Sequence, residues 1–404
     1  MRPETVISTS EASQLIAGTM PEVGCETVAL ADCAGRVLRE TIHAERDQPP
    51  FDRVTMDGIA FSYDSFDAGV RRFRIQARQH AGEPRLELAD ADNCIEIMTG
   101  AVLPLGCDCV IPVERIEVVE GAAIVEDGYQ PERRRFVHAQ GSDHRAGTSV
   151  LQRGARITPM DVAVIASCGK ESVSVSAQPT IRVISTGDEL IAPGQAIEAH
   201  QVRLSNGPAV VAMLQTHGYS DVAHDHLADD RDVLQTRLAE HLASADVLVL
   251  SGGVSMGKAD FVPGALAELG VKVVFHKISQ RPGLPMWFGI GANREAVFAL
   301  PGNPVSTLVC CRQYVVPALR QASGRAPARA EYAVLTRDVT FKPQLTNFLP
   351  VKLAVTDAAR IEASPVMTNT SGDFTALSGT DGYVELHRET TEFSTGSVLP
   401  LHRW

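Results

Sequence analysis

The chain has 404 residues, of which 44% are hydrophobic and 21% charged, and its formal net charge is −12. At roughly 100–200 residues per domain this composition supports about two to four ordinary globular domains and lies outside the disordered range. The acidic balance excludes a general nucleic-acid or anionic-membrane surface, which needs clustered Lys and Arg, and no run approaches the roughly 20 apolar residues that span a bilayer.

Met1 to Gly18 lacks a basic stretch followed by an apolar core, so no signal peptide is expected and a cytoplasmic protein is. The eight cysteines are scattered, and neither Cys107 with Cys109 nor Cys310 beside Cys311 has the second half of a zinc site. They read as reduced thiols. A helix is expected around Glu11–Ile16, a β-rich stretch over Phe51–Glu117, and a second helix over about Pro159–Ser167.

From Thr180 to Arg320 the pattern is clearer. Strands are expected at Thr180–Ser185, Asp221–His226, Asp246–Leu250, Val271–Phe275 and Ala296–Leu300. Helices are expected at Asn206–Thr216, capped by Ser205 or Asn206, at Arg231–Leu242, capped by Asp229 or Asp230, at Phe261–Leu269, and from Pro304 to about Leu319. Alternating strands and helices imply a parallel sheet with helices on both faces. The last stretch, Glu331–Trp404, alternates in short strands and suggests a small β-barrel joined through Ala326–Ala330.

In such a sheet ligands bind beyond the carboxyl ends of the strands. The unusual motifs fall there: Ser185–Glu189, His226–Asp230, Ser251–Gly257, His276–Gly283 and Pro301–Pro304. The Ser251–Gly257 loop is rich in small residues, so its backbone can approach an anion near a helix start, although a plain strand-to-helix turn would also use them. It matches neither a Walker loop nor GxGxxG. Asp260, Asp229 and Asp230 sit where helix dipoles favour carboxylates in any case; with Glu189 they could hold a divalent ion, since Mg²⁺ takes one or two carboxylates plus substrate phosphate. Lys277 and Arg281 are candidates to offset an oxyanion, or else solvated surface charges. Pro301-Gly302-Asn303-Pro304 is a tight turn with Pro304 at a first helical position, and could be architectural. Asp52–Gly58 and Thr99-Gly100-Ala101 are further turns that could meet this rim within one subunit or across a dimer.

These motifs, in this order, resemble the molybdopterin molybdenumtransferase family, which includes the gephyrin E domain. The matching stretches are PPFDRVTMDGIAF (49–61), IMTGAVLPLGCDCVIPVE (97–114), STGDEL (185–190), LSNGPAV (204–210), SGGVSMGKADF (251–261), RPGLP (281–285) and LPGNPVS (300–306). They span nearly the whole chain. The portion from STGDEL to LPGNPVS would also suit molybdopterin adenylyltransferases, but the MDG and TGA segments point to the insertase.

The resemblance implies an α/β multidomain fold. A small split α/β domain would take 1–45 and 146–178, a β-rich inserted lobe 46–145, a doubly wound molybdopterin-binding domain 179–326, and a C-terminal β-barrel domain 327–404. It implies insertion of molybdate into adenylylated molybdopterin with Mg²⁺-dependent release of AMP, in a homodimer whose active sites lie between subunits. Partners would be a molybdopterin adenylyltransferase or molybdoenzymes, with no nucleic acid and no membrane. Asp57, Glu189, Asp229, Asp260 and Lys277 would be catalytic, with Glu189, Asp229 and Asp260 as metal ligands. Thr99, Asp143, Ser251, Gly252, Gly253, Ser255, Gly257, Arg281, Pro301, Gly302, Asn303 and Ser371 would bind substrate. Departures concentrate at cationic positions: His138 and Pro350 stand where arginines are usual, Ser142 replaces a glutamate, and Arg281 and Leu284 replace lysines. The alternative reading is a diverged delivery protein for the cofactor, or a paralogue using another oxyanion such as tungstate.

Overall fold

The computed structural model describes residues 6–253 and 262–404. The first helix, α1 (Thr9–Thr19), starts where the Ser8 side chain accepts a hydrogen bond from the Glu11 amide. Its buried residues, Ala12 and Ile16, pack into the core of the doubly wound unit rather than against their sequence neighbours. The chain then forms β1 (Cys25–Ala29) and leaves for an inserted lobe.

The lobe is built on β2 (Gly58–Phe61), helix α2 (Tyr63–Asp67), β3 (Arg72–Gln79), β4 (Asn93–Ile97), β5 (Cys109–Pro112), β6 (Ile116–Val119) and β7 (Ala122–Val125). These strands form one open sheet in the order β5-β2-β4-β3-β7-β6. Gly58 is required by close approach: a Cβ there would lie 1.9 Å from the Ile111 carbonyl oxygen. The chain returns through α3 (Pro159–Ser167), held by a reciprocal capping box between Thr158 and Asp161, to β8 (Ser172–Ser176). β8 pairs antiparallel with β1, which joins the two halves of the split unit.

The doubly wound unit comprises β9 (Ile181–Thr186), α4 (Asn206–Thr216), β10 (Val222–Leu227), α5 (Arg231–Ser244), β11 (Val247–Ser251), α6 (Val262–Glu268), β12 (Lys272–His276), β13 (Trp287–Ile290), β14 (Ala296–Leu300), α7 (Pro304–Cys310) and α8 (Val316–Ala322). The strand order is β10-β9-β11-β14-β13-β12. Both faces are covered, as the apolar runs require. Ile181, Val183, Val247 and Val249 face the side of α1, α4, α7 and α8, while Ile184, Leu248 and Leu250 face α5 and α6.

Two expectations are corrected here. The sheet is not wholly parallel: β13 enters antiparallel to β14 and to β12. The connection from β13 to β14 is too short for a crossover, so a hairpin is the available solution. Because β12 is antiparallel to β13, it still runs with the parallel strands and ends at their rim. The long helix expected from Pro304 is interrupted by a π-turn at Cys311–Val315. Pro317 follows in the next turn and has no amide to continue an α ladder.

Residues 325–330 carry no regular element and lead to the C-terminal unit. There β15 (Glu331–Leu335), β16 (Thr346–Val355), β17 (Ile361–Pro365), β18 (Gly382–Leu386) and β19 (Val398–Arg403) close into a five-stranded barrel through the β16–β18 pairing. No described helix is long and apolar enough to cross a membrane.

Candidate active site at the carboxyl rim of the sheet

The loops after β9, β10, β11 and β14 converge on one cavity of about 700 Å³, within the usual range for small-molecule sites. Glu189, Asp229, Ser251, Gly252, Gly253, Pro301, Gly302 and Asn303 all line it. Ser255, Gly257 and Asp260 lie outside the described residues, as does the Phe261 start of the expected helix. A larger hollow of about 1170 Å³ lies at the opposite end of the sheet. Its carboxylates are already engaged: Asp246 accepts from the Thr180 amide at 2.8 Å, and Glu295 from Asn293 at 3.0 Å. The rim cavity is therefore the better site, on its convergent polar groups and not its size.

Backbone approach explains the glycines. A Cβ on Gly252, whose φ is +102°, would lie 2.7 Å from the Thr186 carbonyl oxygen, and Gly302 sits directly against the Gly252 backbone. Asn206 stitches these loops together. Its Nδ2 donates to Ser251 Oγ at 2.9 Å, to the Gly302 carbonyl at 2.7 Å and to Thr307 Oγ1 at 3.1 Å. Its Oδ1 is buried with no partner among the described residues, as is Thr186 Oγ1. Expected only as a helix cap, Asn206 makes no cap bond; Ser205 occupies that position, also without one. The signal was the asparagine opening a helix inside LSNGPAV, but its contacts are with residues about 45 to 100 positions away.

The carboxylates divide their work. Asp230 is the helix cap, accepting from the Asp232 and Val233 amides at 3.0 Å each. That leaves Asp229 facing the cavity, its own amide donating to Asp188 Oδ1 at 3.0 Å. Behind the rim, His224 Nε2 meets Ser185 Oγ at 3.0 Å, and burial pushes the His224 imidazole below its ordinary value. Neutral His224 thus fixes a cavity-lining serine. His226 contacts the Gly187 carbonyl at 2.9 Å. For a divalent ion the donor set is appropriate: Glu189 and Asp229 offer hard carboxylate oxygens at one cavity. Among the described residues no group of three potential ligands closes on a cation, so an ion there would complete its shell with substrate oxygens and water.

The C-terminal unit reaches the same rim. Asn303 Nδ2 donates to Ser371 Oγ at 2.8 Å, the Ser371 carbonyl accepts from the Val305 amide at 3.0 Å, and Gly372 and Phe374 line the cavity. Lys277 and Arg281 are not among the lining residues. Lys277 lies in a left-handed backbone conformation (φ +72°) tied to Ile7 and Met286, and the Gln280–Arg281 strand pairs with Thr346–Asn347 of the barrel unit.

Asp57, Thr99 and Asp143 are on the inserted lobe and do not line the cavity of their own chain. They form defined pairs there. Thr99 donates to Asp57 Oδ1 from its amide at 2.6 Å and its hydroxyl at 2.7 Å, and these two bonds hold the carboxyl below its ordinary value. His138 bridges Arg53 at 3.2 Å and Asp143 at 3.0 Å. Arg53 can only donate, so Nδ1 accepts and Nε2–H donates to Asp143. Where an arginine was expected, an imidazole relays between a cation and a carboxylate.

Three family models match in chain order: residues 7–169 match the MoeA N-terminal region (domain I and II), 182–321 a "Probable molybdopterin binding domain", and 332–404 the MoeA C-terminal region (domain IV). A molybdopterin molybdenumtransferase of Synechocystis sp. is 40% identical over 400 residues, covering 99% of this chain and 100% of that one. One from Staphylococcus epidermidis is 31% identical over 410 residues, covering 98% and 95%. The crystal structure of the molybdopterin biosynthesis moea protein from Pyrococcus horikosii aligns with a TM-score of 0.84 at 29% identity, covering 99% of both chains.

Proposed function

Because the chain belongs to the molybdopterin molybdenumtransferase family, transferases of molybdenum-cofactor biosynthesis, we propose that its rim cavity takes adenylylated molybdopterin, accepts molybdate, and releases AMP in a Mg²⁺-dependent reaction. One observation carries this reading: an anion-compatible glycine loop, Gly252–Gly253, and two carboxylates, Glu189 and Asp229, share a single cavity. Backbone at Gly252, Gly253 and Gly302 suits the phosphates. Glu189, Asp229 and Asp260 would hold Mg²⁺. When bound, that ion offsets charge on the phosphoryl oxygens and leaving group. Ser251 and Asn303 orient the substrate, with Ser371 fixing Asn303. Lys277 and Arg281 supply positive charge from the flank for molybdate.

Asp57, Thr99 and Asp143 belong to this site through a homodimer, in which the lobe of one copy approaches the cavity of the other. The proposed setting is the cytoplasm, with an adenylyltransferase supplying the substrate and molybdoenzymes receiving the product. Full-length similarity to named transferases favours this reaction over a delivery role. In single turnover with adenylylated molybdopterin, Mg²⁺ and molybdate, Glu189→Gln is expected to slow AMP release about a hundredfold, the scale of a few kcal/mol of lost charge stabilisation. Undiminished release from a folded variant would remove Glu189 from the mechanism. Running the assay with tungstate in parallel tests which oxyanion is inserted.

A further inference from the structure

At the end of the doubly wound sheet away from the rim, the His217–Tyr219 turn after α4 and the last turn of α8 face the Ser176–Pro179 segment that leads into β9. Together with the Gly35–Val37 loop of the split unit and the segment after α8, they enclose a pocket of about 40 Å³. Arg36, Arg156, Arg320, Arg325 and His217 all line it. Four guanidinium groups in one small pocket are unusual in a chain of net charge −12.

Carboxylate partners account for only one of them. Arg36 is paired with Glu26 and donates to the Ser176 carbonyl at 2.6 Å. Arg156 spends its Nε on the Gly35 carbonyl at 3.2 Å and pairs with no carboxylate among the described residues. Arg320 and Arg325 make no ion pair with any described residue: Arg320 is repelled by Arg325, Arg312 and Arg156, and Arg325 by Arg156. Arg320 Nε and His217 Nε2 are buried without a partner among the described residues. A helix dipole favours a cation at the C-terminus of α8, which explains one arginine but not four. Burial first, and then repulsion from neighbouring arginines, pushes Arg320 and Arg325 below their ordinary values. Burial first, then Arg312, Arg320, Arg325 and Arg156, push His217 down to about 4. Burial is the larger cause in each case, and the arginine repulsion added to it is that of a site short of negative charge.

We propose that this pocket is a second anion site, binding one tetrahedral oxyanion between Arg36 and Arg156 of the split unit and Arg320 and Arg325 of the doubly wound unit. Guanidinium forks match tetrahedral oxyanions, and the three that lack a carboxylate among the described residues call for a dianion. The space exceeds the roughly 10–15 Å³ that one water requires but is far too small for a nucleotide, so the occupant is a free ion or only the terminal phosphate of a larger ligand. Its four arginines come from two units that already touch here, through the Ala326 amide on the Gly154 carbonyl at 2.9 Å and Ser176 Oγ on the Ser323 carbonyl at 2.7 Å. The bound ion cross-links them.

The test follows the His217 ring signals in histidine-labelled full-length protein, assigned with His217→Gln, during titration with sodium phosphate, sulfate, molybdate or AMP at constant ionic strength set with chloride. A saturable shift of His217 with at least one free oxyanion, weakened tenfold or more in Arg325→Gln and Arg156→Gln, supports the site. A response to AMP as strong as to phosphate identifies a terminal phosphate as the natural occupant; a response to the free ions alone identifies the ion. Arg325 and Arg156 are chosen because they are less buried than Arg320, whose replacement endangers folding. No saturable shift with any of the four, a response equal to that of chloride, or a shift unchanged in both variants overturns the proposal.

Discussion

A few atoms carry the rim. Gly252 has no room for a methyl group against the Thr186 carbonyl and already occupies a backbone region that L side chains avoid. Gly252→Ala is therefore expected to displace the loop and reduce AMP release about tenfold or more while the fold persists, because a misplacement near 1 Å is costly in a preorganised site. Unaltered turnover would show that the loop does not approach substrate. His217 offers a pH test. Its folded pKa, about 4, lies below the ordinary 6.5. Between those values the unfolded chain binds more protons, so stability rises with pH, is fully present above 6.5, and is lost as pH falls toward 4. Thermal melts across this window should fall less steeply for His217→Gln than for the parent. Equal slopes would assign the acid sensitivity to other groups.

Among the elements, the helices facing the rim show how local chemistry sets the site. Two adjacent carboxylates precede α5, and sequence allowed either to cap it. Asp230 takes both amide hydrogen bonds, which fixes Asp229 toward the cavity. Asp230→Ala is expected to lower stability by about 1 kcal/mol, read as a shift in the denaturation midpoint, and to weaken activity through Asp229. A variant with unchanged stability would show that the cap contributes nothing. β13 makes the complementary point. Its four residues, Trp287–Ile290, are too few and too mixed to read as a strand, and a sheet partner on each side decides them.

For the molecule as a whole, the question is how Asp57 and Glu189 meet. They stand on different units and do not line one cavity within a chain. If the lobe completes the site of a second copy, mixing inactive Glu189→Ala and Asp57→Ala chains creates hybrid dimers with one intact site. Activity should then recover to about a quarter of the parent value for randomly assorted subunits. Absence of recovery, with hybrid formation verified by tagged subunits, would place both residues in sites formed within one chain.

Much of this was legible in the residues. The apolar runs from Ile181 to Leu300 determined buried strands, because a strand covered on both faces must be apolar throughout. Glycine-rich turns after those strands then fell at one rim, since parallel strands end together. Ser251, Gly252, Gly302, Glu189 and Asp229 were accessible by that route. Asn206 was not, because its amide serves residues on three other segments, and no local pattern encodes a long-range hydrogen bond. Nor was the arginine pocket, whose members come from positions 36 to 325 and look like ordinary surface charge one at a time. Sequence alone thus determined which segments pack and where their ends lie, because periodicity and turn chemistry are local. Tertiary structure decided which polar groups meet, because only the folded chain settles which of them lose water and which find a partner.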